Sequence, residues 1–209
     1  MAPTQRFVCS FAAEPPQEGL PYGRWADTLR EHFLAACLDA AGDATAADDD
    51  PGEPGEITWF PDRTWSGRTY VPATTRTDAG WEYLGYVAFT PGAGEEGPQD
   101  FVAIADLTDD TAEDNPDWRI DLSDEEIGVW RGEEGKVAAM TLVWGRPLQG
   151  DGVVVTAELA DLAVDQCTLL EDRFTLIAPD RYRGDELEVK LWSQRGELIA
   201  RESLYVEEE

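Results

Sequence analysis

Arg68–Phe89 reads RTYVPATTRTDAGWEYLGYVAF, and this stretch decides the fold. Side chains along a strand alternate between two faces, so a period of two marks a half-buried strand. Arg68–Thr75 and Trp81–Phe89 are rich in β-branched and aromatic residues, and Gly80 separates them. The same rhythm runs outward on both sides. It predicts strands at Ile57–Phe60, Phe101–Leu107, Trp118–Leu122, Ile127–Arg131 and Val137–Trp144. Further strands are expected at Gly152–Glu158, Gln166–Leu170, Arg173–Ile177, Glu186–Ser193 and Glu197–Val206. Pro91–Pro98, Asp109–Asp117, Glu133-Glu134-Gly135 and Arg195-Gly196 supply the turns and breaks.

Upstream of residue 57 the period is different. Arg24–Ala41 places Trp25, Leu29, Phe33, Ala36, Cys37 and Ala40 at helical spacing, with Gly42 as the expected C-cap. Leu34 and Leu38 widen the apolar face, so the helix is expected to be well covered. Arg6–Ala12 reads as a first strand closed by Pro15-Pro16, and residues 43–56 as an acidic solvated loop.

The fold class expected is α+β and mainly antiparallel β. One N-terminal amphipathic helix packs on a sheet, and an immunoglobulin-like or fibronectin-like β-sandwich follows. Residues 1–135 would form the α+β region with helix 24–41, and residues 136–209 the sandwich. This likeness is one of strand rhythm only and rests on no family motif. A single continuous β-fold with the helix across one face is the alternative.

The chain has 209 residues, with 44 Asp or Glu against 16 Lys or Arg, a formal charge of −28. Leu, Ile, Val and Phe together number 44, just over the fraction of about 20% below which highly charged chains stay disordered. Eight Trp and six Tyr add the bulk that a core needs. Lysine is limited to Lys136 and Lys190. The acids are spread over both halves, which reads as a surface style suited to high salt or a GC-rich genome. Direct nucleic-acid binding and attachment to an anionic membrane are not expected, because both recruit basic patches. Carboxylates arranged as a DNA mimic are an alternative use of the same charge. No secretory leader, no membrane span and no paired spacing of Cys9, Cys37 and Cys167 is visible, so the expected location is the cytoplasm, with free thiols.

Chemistry-bearing motifs are sparse. His32 is the only histidine, so any triad, Cys-His dyad or histidine metal site would have to use it. It is expected to be a boundary residue of the packed helix. Asp106 and Glu158, near strand ends, come closest to buried acids for a carboxylate-only hydrolase. Asp106–Asp117 clusters acids without the order of a calcium-binding EF-hand loop. No phosphate-binding glycine loop is present, and Arg183-Gly184-Asp185 reads as a turn before a strand. Trp118, Trp130, Trp144 and Trp192 are expected to pack in the core or on sheet faces. No cofactor and no metal are expected.

One stretch differs from the rest. From Arg63 to Thr77 there is no carboxylate, and arginines interleave with aromatics. Trp59, Arg63, Trp65, Arg68, Tyr70 and Arg76 are therefore the candidate binding residues, since Trp, Tyr and Arg dominate interface hot spots. The competing expectation is a hairpin whose arginines pair with the chain's own acids. The leading functional expectation is a non-catalytic interaction protein, an adaptor or accessory subunit that docks on a protein partner. A module for a small anionic or glycan ligand is the second reading.

Overall fold

The computed structural model describes residues 25–45, 50–92, 97–132 and 135–205. The strand expected at Arg6–Ala12 and most of the Glu133-Glu134-Gly135 turn lie outside them. The chain divides into two compact units between Asp117 and Trp118.

The first unit holds α1 (Ala26–Thr45), β1 (Pro54–Trp59), β2 (Arg63–Trp65), β3 (Arg68–Thr77), β4 (Glu82–Thr90) and β5 (Gln99–Thr108). All its pairings are antiparallel, in the order β1-β3-β4-β5, and β2 extends the edge where β1 pairs with β3. Leu29, Phe33 and Cys37 of α1 are buried against Val71, Ala73, Tyr83 and Val87. Burying a side chain such as Phe33 contributes about 1.5–3 kcal/mol. The helix outruns its expected C-cap: Gly42 keeps a helical conformation with open space around it, and the helix continues to Thr45. Nor is the helix covered all round, since Leu38 is 66% exposed.

The second unit holds β6 (Ile120–Arg131), β7 (Val137–Pro147), β8 (Gly152–Leu159), β9 (Leu162–Thr168), β10 (Phe174–Asp180), β11 (Leu187–Ser193) and β12 (Leu198–Ser203). A three-stranded sheet in the order β10-β7-β6 faces a four-stranded one in the order β12-β11-β8-β9. Both contribute to one apolar core, with Val143, Phe174 and Leu176 from the first and Val155, Leu187 and Leu191 from the second. This is a β-sandwich. Buried carboxylates help to tie it: Asp165 of β9 accepts from the Ile177 amide of β10 at 2.9 Å, and Asp180 of β10 accepts from the Leu187 amide of β11 at 2.9 Å.

Two expectations change here. The strands expected at Trp118–Leu122 and Ile127–Arg131 are not separate: the first starts only at Ile120, and both are parts of β6, which absorbs its acidic middle through an irregularity between Glu126 and Gly128. A bulge of this kind adds a residue without ending the pairing. Because β6 is bonded along its length to β7, it lies with the sandwich and not with the α+β region ending near residue 135.

Candidate functional site

β3 is the spine of the candidate site. Its odd-numbered residues Val71 and Ala73 face the helix, so Arg68, Tyr70 and Arg76 project from the opposite face of the sheet. Directly paired residues share a face, and the register pairs Arg63 with Tyr70 and Trp65 with Arg68. Five of the six sequence candidates thus occupy one sheet face. Ser66 and Gly67, both at positive φ, close the two-residue turn that brings Trp65 onto Arg68.

Trp59 is the exception. It lies 5.9 Å from the Phe33 ring, packed on the helix side. The pairing of β1 and of β2 with β3 differs by one residue, so Phe60–Asp62 contains one residue more than the partner strand. A shift of one reverses every side chain downstream.

The five that share a face are not equally available. Arg63 is 2% and Tyr70 5% exposed, so both belong to the interior. Burial pushes the Tyr70 hydroxyl's pKa up, opposed by the nearby Arg68 charge. Arg76 sits opposite Glu82 and pairs with it at 3.7 Å and with Glu113 at 2.5 Å, as the competing expectation required of an arginine in so acidic a chain. Trp65 and Arg68 remain half-buried at the turn. Arg68 reaches across the end of the sheet, its Nη2 donating to the Asp100 carbonyl at 2.8 Å.

That bond leads to two residues the candidate set omitted. Val102 and Ile104 of β5 are 45% and 39% exposed. They pair with Ala88 and Tyr86, themselves the partners of Tyr70 and Pro72, so they lie on the same face as Arg68. Asp100 and Asp106 at the two ends of this pair are exposed as well. Trp65 and Arg68 at the turn and Val102 and Ile104 on β5 thus occupy one corner of the same sheet face, with buried Tyr70, Tyr86 and Ala88 between the two pairs and exposed Asp100 and Asp106 at its margins. The signal in the sequence was the run Phe101–Ala105, apolar in both phases of a strand that has a helix on only one side.

The other candidates are engaged within the fold. His32 stacks on Phe101 with ring centroids 4.8 Å apart and planes 10° apart. Glu158 is 2% exposed, and its oxygens accept from Lys190 Nζ at 2.8 Å and Thr156 Oγ1 at 3.0 Å. A carboxylate held at both oxygens is a fastening and not an acid poised to transfer a proton. In the acidic loop Thr111 donates to Asp114, and Asn115 donates to Asp110 and to the Thr111 carbonyl. Among the described residues no group of three or more His, Cys, Asp or Glu is placed to hold a metal ion. An open groove of about 710 Å³ in the second unit is lined by Asp161, Asp185, Glu186, Glu188 and Arg201, and Arg201 pairs with Glu188 at 2.6 Å. No helix among the described residues is long and apolar enough to cross a membrane.

No protein-family model, no curated protein and no solved structure matches the chain.

Proposed function

We propose that the chain is a non-catalytic interaction protein of the cytoplasm, an adaptor or accessory subunit that docks a protein partner on the open corner of its five-stranded sheet. The observation that carries this reading is that Trp65 and Arg68 share a sheet face with exposed Val102 and Ile104 and that Arg68 is tied to the start of β5 through the Asp100 carbonyl. Aromatic and guanidinium groups beside exposed aliphatics are the composition of an interface centre.

The sandwich suits the same role as a spacer or second docking unit, and we assign it the fibronectin-like arrangement. With β6–β12 taken as successive strands, the second sheet carries both β8 and β9, whereas the constant-type immunoglobulin arrangement puts the fourth strand on the first sheet. This assignment concerns architecture and adds nothing to the choice of partner.

Purification of the tagged full chain from its host, at near-physiological salt, tests the docking role. A stoichiometric protein complex is expected, weakened at least tenfold by Trp65→Ala combined with Arg68→Ala, with the circular dichroism of the free chain unchanged. A chain that runs as a monomer with no partner, or a complex indifferent to the double substitution, would rule the role out.

A further inference from the structure

We propose that the outer edge of β5 is a strand-addition site for an extended, basic segment in which two aliphatic residues are flanked by Lys or Arg at alternating positions. This rests on the docking role above and specifies the chemistry of the partner.

Among the described residues β5 pairs with β4 alone, so its other edge carries unpaired backbone donors and acceptors. Edges of this kind are usually blunted by short length, proline or lysine. β5 runs for ten residues, against a usual five or six, as QDFVAIADLT, with no proline or lysine, and its one irregularity lies at its start, opposite Ala88–Thr90. Its helix-side residues Phe101, Ala103, Ala105 and Leu107 pack against the core, and from Val102 to Thr108 the strand keeps an unbroken register with β4, so this part is held ready to pair. An added strand would gain main-chain hydrogen bonds from the edge and side-chain selectivity from the exposed face.

That face selects the occupant. Val102 and Ile104 favour aliphatic neighbours, while Asp106 on the same face and exposed Asp100 at the irregular start of the strand favour cations. The formal charge of −28 acts in the same direction at longer range, speeding encounter with a basic segment. It acts against a second copy of this chain, whose added β5 would also bring aspartates to an already acidic edge.

The test uses the full chain and a labelled peptide, Thr-Lys-Thr-Val-Thr-Ile-Thr-Lys-Thr, with fluorescence anisotropy at about 0.15 M salt. Two further peptides carry backbone N-methyl groups on alternate amides, one in each phase. Strand addition uses one peptide edge only, so methylation in one phase is expected to weaken binding at least tenfold more than in the other. Val102→Lys combined with Ile104→Lys, an exposed pair whose change leaves the core intact, is expected to weaken the parent peptide at least tenfold. Amide exchange across residues 99–108 should slow on binding. Absence of binding, equal affinity for both methylated peptides, indifference to the double substitution, or unchanged exchange in β5 would each overturn the proposal. A native complex broken by the Trp65 and Arg68 substitutions but intact in the Val102 and Ile104 variant would also overturn it, while leaving the docking role standing.

Discussion

Lys190 is one of only two lysines, and it is 7% exposed. Three carboxylates surround its ammonium: Glu158 at 2.8 Å, Glu188 at 3.2 Å and Asp161 at 3.7 Å. Trp192 Nε1 donates to Thr156, which in turn donates to Glu158, so the pair is part of a network spanning β8 and β11. Removing one partner of a buried pair leaves the other charged and desolvated. Lys190→Ala is expected to cost about 3–5 kcal/mol, while Lys190→Met with Glu158→Leu should recover most of that loss. Urea midpoints of the three proteins measure it, and a single variant as stable as the parent would refute the assignment. A second residue-scale prediction concerns alkaline pH. Burial pushes the Cys37 thiol from 9.0 up to about 12, and burial with the Asp180 hydrogen bond pushes the Tyr205 hydroxyl from 10.0 up to about 12. Both pKa values are raised on folding, so above pH 9 the unfolded chain loses these protons first. The stability they contribute is therefore complete below about pH 9 and is lost as pH rises towards 12. Two lysines contribute little competing titration in that range. A urea midpoint flat to pH 9 and falling beyond it is expected, the fall shallower in Tyr205→Phe. A midpoint unchanged to pH 11 would contradict the two shifts. At pH 8 Cys37 should also resist alkylation in the native protein, as followed by peptide mass spectrometry.

At the scale of elements, the fit between β4 and β5 turns on Gly85. A Cβ at that position would come within 2.0 Å of the Ile104 carbonyl oxygen, a backbone atom that cannot swing aside. Gly85→Ala should therefore displace β5 and loosen its contact with α1, costing several kcal/mol, within the range for forced overpacking or beyond it. Loss of amide protection confined at first to residues 99–108 is the expected signature in hydrogen exchange, and unchanged protection there would contradict it. This contact is invisible in the sequence, where Gly85 looks like an ordinary weak point of a strand. The strands themselves were legible because alternation is local: Arg68–Thr77 and Glu82–Thr90 follow directly from period two. Less legible was anything that depends on phase. Trp59, Arg63 and Trp65 are all odd-numbered and look like one face, yet the extra residue in Phe60–Asp62 puts Trp59 with the helix. In the sequence β6 looks like two strands because its acidic centre resembles a loop, and only its partner β7 makes it one. The strand expected at Phe101–Leu107 does not by itself show Val102 and Ile104 as exposed, since exposure is decided by which face the helix covers.

At the scale of the molecule, the charge of −28 sets the response to salt. Acids outnumber bases by nearly three to one, so most carboxylates have only other carboxylates for company. Mutual repulsion of this kind favours the expanded chain and is screened as ionic strength rises. The screening length falls from about 10 Å at 0.1 M to about 3 Å at 1 M, below the typical spacing of surface charges. Attractive pairs oppose the trend, because salt also weakens exposed bridges such as Arg76–Glu113 and Arg201–Glu188. Each of those contributes only about 0.2–1 kcal/mol, and 16 bases limit their number. Repulsion therefore dominates, and stability should rise with salt. The stretch from Arg63 to Thr77, which carries no carboxylate, lies in β2 and β3, where Arg63 and Tyr70 are buried, so it does not relieve the surface. The expected outcome is a melting temperature higher by about 5 °C or more in 1 M than in 0.1 M NaCl, roughly 1 kcal/mol for units of this size. Isosmolar sucrose separates this effect from solute exclusion, since sucrose leaves charge repulsion unscreened. A melting temperature that is flat or falls between the two salt concentrations would mean that the acids are balanced by pairing, and the reading of the charge as unscreened surface repulsion would be wrong.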